Sequence, residues 1–324
     1  MKAVRCHELG HASNLKIEEI DDPKPGKGEV LVDVKAGGLN FPDVLMVAGK
    51  YQFQPPLPFT PGGEGAGVVA ELGEGVTNVK VGDRVIFFNQ QGAFAEKAVA
   101  PAMTLVPMPE SMPFEVAAGF TITYATSYHA LRQRADIQPG ETLLVLGAAG
   151  GVGLATVELG KAMGATVIAA ASTDEKLEFC KNAGADHLIN YSSEDLKDRV
   201  KEITGGKGVD VIYDPVGGDY TETALRTMAP GGRHLVIGFA AGDIPRPPLN
   251  LCLLKQCSIV GVFWGNFARA NPKVQMQNMI DMFGMFDKGT IKPLVNDVFK
   301  LDDAIEAFAC LSERRAKGKV ILKP

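Results

Sequence analysis

Residues Leu143–Gly153, reading LLVLGAAGGVG, pass from an unbroken aliphatic run straight into a glycine cluster that opens an amphipathic stretch, Leu154 through Met163. This order of residues calls for a strand, a tight turn and a helix start, the arrangement in which unpaired helix N–H groups meet a pyrophosphate. Gly147 permits the turn out of the strand, Gly150 lets backbone approach phosphates without a Cβ, and Gly153 lets the helix pack closely on the sheet. Ala149, Gly151 and Val152 complete the expected cofactor loop. A glycine pattern alone is also compatible with an ordinary turn. Its context is the stronger signal: a strand before, a helix after, and a second strand at Val167–Ala171 about 20 residues on. A P-loop is disfavoured, because no Gly-Lys pair is followed by Ser or Thr.

The end of the second strand bears on which dinucleotide fits. An acidic side chain there holds the ribose hydroxyls of NAD, whereas a 2′-phosphate needs that charge removed and donors supplied. The chain has Ala169-Ala170-Ala171-Ser172-Thr173, with no carboxylate, and Ser172, Thr173 and Lys176 as donors. This favours NADPH over NADH. Two features weigh the other way: Ser172 with Glu175 also fits a capping box for a helix over Asp174–Asn182, and Asp174 is within reach of a ribose. Tyr191, ending the next strand, is a further phosphate or adenine neighbour.

At 324 residues the chain is long enough for two cores, and 46% hydrophobic residues with 37 glycines suit an α/β protein with many tight turns. A net charge of −5 offers no basic field for nucleic acid. The basic run Arg314–Lys319 reads as a solvated patch. With no signal peptide before a first strand at Lys2–Cys6 and no apolar run of bilayer length, a cytoplasmic protein without a membrane segment is expected. Five cysteines without a CxxC pair argue against a disulfide framework or a structural zinc lobe. Cys6, His7 and His11 lie close together but lack a fourth ligand at a plausible spacing.

Residues 1–120 carry short apolar–polar alternations, at Glu29–Lys35, Gly65–Leu72 and Asp83–Phe88, separated by Pro-Gly and glycine-rich turns. From about Phe120 to Gly265 strand and helix alternate. Strands are expected at Thr142–Gly147, Thr166–Ala171, His187–Tyr191, Val209–Asp214 and His234–Gly238, forming an α/β, doubly wound parallel sheet. The tail predicts helices at Lys273–Lys288 and Asp302–Ser312 and a last strand at Lys319–Leu322 that belongs back with the first body. The active site is expected in a cleft beyond the carboxyl ends of the parallel strands.

Together with Pro25–Val30, Gly38–Asp43, Pro61–Gly67, Val81–Val85 and Gly318–Val320, this order resembles the medium-chain dehydrogenase/reductase superfamily, within it the zinc-free quinone oxidoreductases related to zeta-crystallin. The resemblance implies a GroES-like β-rich domain over 1–121 and 269–324, and a Rossmann domain over 122–268. Where zinc-containing alcohol dehydrogenases place ligands, the chain has Asn40, Gly63 and, near the third, Ile122, so a zinc ion is not expected. Without a Lewis acid to bind alkoxide, an acceptor that takes hydride readily is implied, a quinone or an activated alkene.

By the same resemblance Asn40 and Tyr51 line the acceptor pocket. Tyr51 would donate to a developing oxyanion and Asn40 orient an amide or carbonyl, against simpler roles as a turn tyrosine and a backbone cap. Gly238-Phe239 and Phe263-Trp264-Gly265 match the segments that contact nicotinamide. None of His129, His187 and His234 is assigned a catalytic role. Beside a quinone reductase stand an enone, alkenal or acryloyl-thioester reductase and, from another class, a non-enzymatic RNA-binding or structural protein. The resemblance also implies a homodimer, joined through an edge strand within Ser258–Trp264.

Overall fold

The computed structural model describes residues 1–324. The chain divides into two compact units, one made of Met1–Ile122 with Leu294–Pro324, the other of Thr123–Pro293. No helix is long and apolar enough to cross a membrane.

The second unit is built on six parallel strands in the order His187–Asn190, Thr166–Ala171, Thr142–Leu146, Val209–Asp214, Met228–Val236, Ser258–Gly261. The central strands are near-continuous apolar runs because helices cover both faces, and Leu143, Leu144, Val145, Ile168 and Ile212 are wholly buried. Strand order reverses between Thr142–Leu146 and Val209–Asp214, and the glycine loop lies at this switch point. The helix Gly151–Ala162 follows it directly.

Thr166–Ala171 and Val209–Asp214 coincide with expectation. The strand expected at His234–Gly238 instead spans Met228–Val236. Its pairing jumps from Met228 to Arg233, and the intervening irregularity hides the start of the strand from any two-residue period. The apolar run Ser258–Trp264 is not all strand. It stops at Gly261, and a helix over Trp264–Ala270 begins three residues later.

In the first unit a seven-stranded sheet runs Val295–Lys300, Lys319–Lys323, Glu29–Leu39, Glu64–Leu72, Arg84–Phe88, Val106–Pro107, with Lys97–Pro101 also paired to Glu29–Leu39. The last strand does return to this body, antiparallel to Glu29–Leu39 through Val320↔Leu39 and Leu322↔Gly37. Phe94 and Phe308 meet edge to face at 6.0 Å in the core, tying the helix Ala304–Ser312 to the sheet. The return falls at Leu294, later than the expected 269, because the helix Pro272–Asp287 belongs to the second unit. Its Asn278 accepts from Gln133 at 3.0 Å, its Gln275 from the Trp264 indole at 2.9 Å, and its Asp281 from Tyr128 at 3.2 Å.

Glycines set how closely the first crossover helix lies on the sheet. A Cβ at Gly160 would come within 2.7 Å of Leu143 Cδ2 and 3.1 Å of Val167 Cγ2. Gly160→Val is therefore expected to destabilise the second unit by about 1–3 kcal/mol through overpacking. The check is the thermal unfolding midpoint; an unchanged midpoint would show that the helix has room to move outward.

Candidate functional site

Because all six strands of the second unit are parallel, their carboxyl ends share one side of the sheet, and the residues singled out as nucleotide-binding follow those ends. Gly147 turns out of its strand at φ +56°, and a Cβ there would lie 2.9 Å from Val216 Cγ2. Gly150 is extended and caps the helix without a side chain, so the first-turn N–H groups of Gly151, Val152 and Gly153 have no acceptor within the helix or from a capping side chain. A Cβ on Gly150 would meet only Gly147 O, at 3.4 Å, so this face is open, whereas one on Gly153 would lie 2.4 Å from that same oxygen. Open backbone donors at the start of a twelve-residue helix fit a phosphate group.

At the end of Thr166–Ala171 the cap of the next helix is Thr173, whose Oγ1 accepts the Lys176 N–H at 3.2 Å. The alternative box between Ser172 and Glu175 does not form, because Thr173, extended at φ −147°, is the residue next to the first helical position. Ser172 Oγ instead takes the Lys176 ammonium at 3.4 Å. Asp174 is engaged elsewhere, accepting Asn190 Nδ2 at 2.7 Å. The Tyr191 ring lies against Tyr220 at 4.5 Å, and its N–H donates to Ala171 O.

Asp214, which sequence reading passed over, organises the neighbouring strand end. Its Oδ1 accepts the N–H groups of Val216 and Gly217 at 2.9 and 2.8 Å, and its Oδ2 accepts Thr221 Oγ1 at 2.7 Å and faces His234 Nε2 at 3.2 Å. Burial works against its charge, but the bonds from His234, Gly217 and Thr221 outweigh this and hold the carboxyl below the usual aspartate range. The carboxylate thus fixes the Val216–Gly218 turn that abuts Gly147. The Asp-Pro-Val-Gly-Gly sequence after an apolar strand was the available signal.

Further along the row, Gly238 donates to Asp214 O at 3.4 Å, and a Cβ on Gly217 would meet Phe239 Cδ1 at 2.9 Å, so the Phe239 ring covers the turn. Phe263 is exposed, Gly265 has open space beside it, and Trp264 is buried with its indole on Gln275. His129 stacks on Phe267 at 3.9 Å.

The first unit gathers a second group. Asn40 precedes the helix Phe41–Val47, and Asp43 Oδ2 accepts its N–H at 2.8 Å while Asp43 Oδ1 accepts the Gly63 N–H at 3.1 Å. Three of the four hydrogen-bonding positions of the Asn40 amide are taken: Nδ2 donates to Gly38 O at 3.1 Å and Glu64 Oε1 at 2.9 Å, and Oδ1 accepts Lys319 Nζ at 2.6 Å. Lys319 also donates to Leu39 O at 2.9 Å and pairs with Glu64 Oε1 at 2.8 Å, and Glu64 Oε2 accepts the Ile122 N–H at 2.8 Å. All four side chains are buried. Burial pushes the Asp43 carboxyl up to about 7 against the pull of Asn40 and Lys319. Tyr51, half-buried on the core of this unit, has its phenol raised by burial first and by the Asp43 charge second.

A divalent metal does not fit at Asn40, Gly63 and Ile122: one has no side chain, one is hydrocarbon, and the amide oxygen of the third already faces an ammonium group. Of the N-terminal trio, His7 pairs with Glu18, His11 with Ser13, and Cys6 donates to Glu8 O.

Comparison with known proteins agrees with this layout. A family model described as zinc-binding dehydrogenase matches residues 151–283, and one described as alcohol dehydrogenase GroES-like domain matches residues 26–110. Quinone oxidoreductase-like protein 2 of Rattus norvegicus is 42% identical over 322 residues, covering 99% of this chain and 91% of the relative. The Escherichia coli quinone oxidoreductase complexed with NADPH superposes with a TM-score of 0.93 at 32% identity, covering 100% of both chains. The quinone oxidoreductase of Pseudomonas syringae pv. Tomato DC3000 does so with a TM-score of 0.93 at 36% identity, covering 100% of this chain and 99% of that one.

Asp214→Asn keeps the shape and removes the charge, and is expected to destabilise the protein by about 2–3 kcal/mol at neutral pH. Because the native carboxyl titrates below its unfolded value, the difference from wild type is complete above the ordinary aspartate range and disappears as pH falls below it. Denaturant unfolding of both proteins from neutral pH into acid checks the sign; a gap that widens in acid contradicts it.

Proposed function

The chain belongs to the quinone oxidoreductase family of the medium-chain dehydrogenase/reductase superfamily, and from that premise we propose that it is an NADPH-dependent reductase of quinones. The observation that carries the cofactor choice is the carboxylate-free end of Thr166–Ala171, where Lys176 Nζ lies 3.4 Å from Ser172 Oγ while Asp174 is tied to Asn190. A ribose 2′-phosphate is attracted there, since Ala169–Thr173 carries no acidic residue to repel it. The Escherichia coli neighbour, solved with NADPH, supports the same reading.

When bound, NADPH supplies a hydride to the acceptor. The loop from Gly147 through Ala149, Gly150, Gly151, Val152 and Gly153 holds the pyrophosphate with backbone N–H groups. Ser172, Thr173 and Lys176 hold the 2′-phosphate, with Tyr191 beside them. Gly238, Phe239, Phe263, Trp264 and Gly265 form the nicotinamide end, where Trp264, held by Gln275, serves as a fixed wall. Tyr51 stays protonated at neutral pH, so it donates a hydrogen bond to the acceptor oxygen as charge grows there and does not release its proton. Asn40, with both amide protons engaged, has none to donate to the acceptor and serves to position the start of its helix. The edge strand Ser258–Gly261, with Leu253, Leu254 and Ile259 exposed nearby, joins two copies into a homodimer.

Oxidation of NADPH and NADH against a panel of quinones and α,β-unsaturated carbonyls tests the reading. Quinones with NADPH are expected to be preferred; stronger turnover of enones or alkenals would reassign the acceptor. Lys176→Ala is expected to raise KM for NADPH roughly ten- to a hundredfold with little change for NADH. Ser172→Asp should move preference toward NADH. An unchanged ratio in both variants would remove the 2′-phosphate assignment.

A further inference from the structure

Asp43, Glu64 and Lys319 form a buried charged group on three different segments of the first unit, and binding and hydride transfer as described above use none of them. Glu64 is 0% exposed, Asp43 2% and Lys319 6%. We propose that Lys319 is a positioning residue whose ammonium acts as a built-in cation, holding Asn40, Glu64 and Asp43 in one arrangement, and that turnover requires Asp43 in its charged form. This inference rests on the chain being a quinone reductase.

The hydrogen bonding is nearly closed. The three protons of Lys319 Nζ reach Leu39 O, Asn40 Oδ1 and Glu64 Oε1 at 2.9, 2.6 and 2.8 Å. That orientation forces the Asn40 amide to present Nδ2 to Glu64 and Gly38, so the lysine fixes which way the amide points. The ammonium stands beside the side chain that occupies a metal-ligand position in zinc-dependent relatives. A fixed organic cation thus neutralises a wholly buried carboxylate that would otherwise be costly to desolvate.

Charge counting then singles out Asp43. One lysine cannot neutralise two carboxylates, and Asp43 is the one without an ammonium contact. Its oxygens accept only the N–H groups of Asn40 and Gly63, tying the start of the Phe41–Val47 helix to the Pro61–Glu64 turn. On protonation, one oxygen becomes an O–H with less accepting power and the charge that strengthens both bonds is gone, so that tie weakens. The groups facing Asp43 are Lys319, which favours its charge, Glu64, which opposes it, and Tyr51, whose phenol is held protonated by burial first and by the Asp43 charge second. Burial places the balance at about 7. Asp43 faces Tyr51, the residue assigned to the acceptor oxygen, so weakening of the tie lowers kcat.

The test combines kcat–pH profiles with a 13C carboxyl NMR titration of the whole protein, the Asp43 signal being identified by its loss in Asp43→Asn. Wild type is expected to lose kcat in acid with a midpoint near the NMR midpoint of Asp43, about pH 7. Lys319→Met should move both midpoints to higher pH by half a unit or more, Lys319→Arg should restore them toward wild type, and Glu64→Gln should move them to lower pH. Titration of Asp43 in wild type within the ordinary aspartate range, or midpoints unmoved by Glu64→Gln, overturns the proposal. If Lys319→Met does not fold, Glu64→Gln and the wild-type titration decide it alone. If wild type reduces no quinone, the functional reading fails separately, and the NMR midpoints still judge the charge coupling.

Discussion

The pairing of Lys319–Lys323 with Glu29–Leu39 is the contact on which the first unit depends. It joins the two ends of that unit's chain and brings its one buried lysine ammonium to Leu39 O, 280 positions away, and to Asn40. Without it Glu64 is an uncompensated buried charge, a situation that costs several kcal/mol and is relieved by protonation or unfolding. The order of dependence runs from backbone register, to the position of one nitrogen, to the orientation of one amide. Register matters because a slip by one residue would turn Lys319 to the opposite face of the strand.

The cofactor side depends on backbone in a different way. Parallel strands put all their carboxyl ends together, and the glycines at one of those ends leave helix N–H groups unobstructed. Side chains refine this. Asp214 places its charge on the turn that abuts Gly147, while Asp174 accepts Asn190 Nδ2 and is turned to its own neighbour.

The parallel sheet was legible because its buried strands are short apolar runs flanked by turn residues, and Thr166–Ala171 and Val209–Asp214 agree with the structure to the residue. The glycine loop was legible for the same local reason. Legibility ends where function rests on distant partners. Glu64 and Lys319 stand in motifs visible in the sequence, but nothing local announces that Asn40 bonds to a residue 279 positions later, and so its amide was expected to face ligand when both its protons are in fact engaged. The Met228–Val236 strand was misplaced because an irregularity interrupts its period, and the helix at Trp264 because an apolar run of seven residues suits strand and helix start equally well.

The long span between Asn40 and Lys319 has a consequence for biosynthesis. At about 5–20 residues per second, a ribosome delivers the closing strand on the order of tens of seconds after Asn40 has emerged. All of Thr123–Pro293 is translated in that interval, so the nascent chain can complete its nucleotide-binding half while the other half still waits, its acidic interior uncompensated, for its lysine.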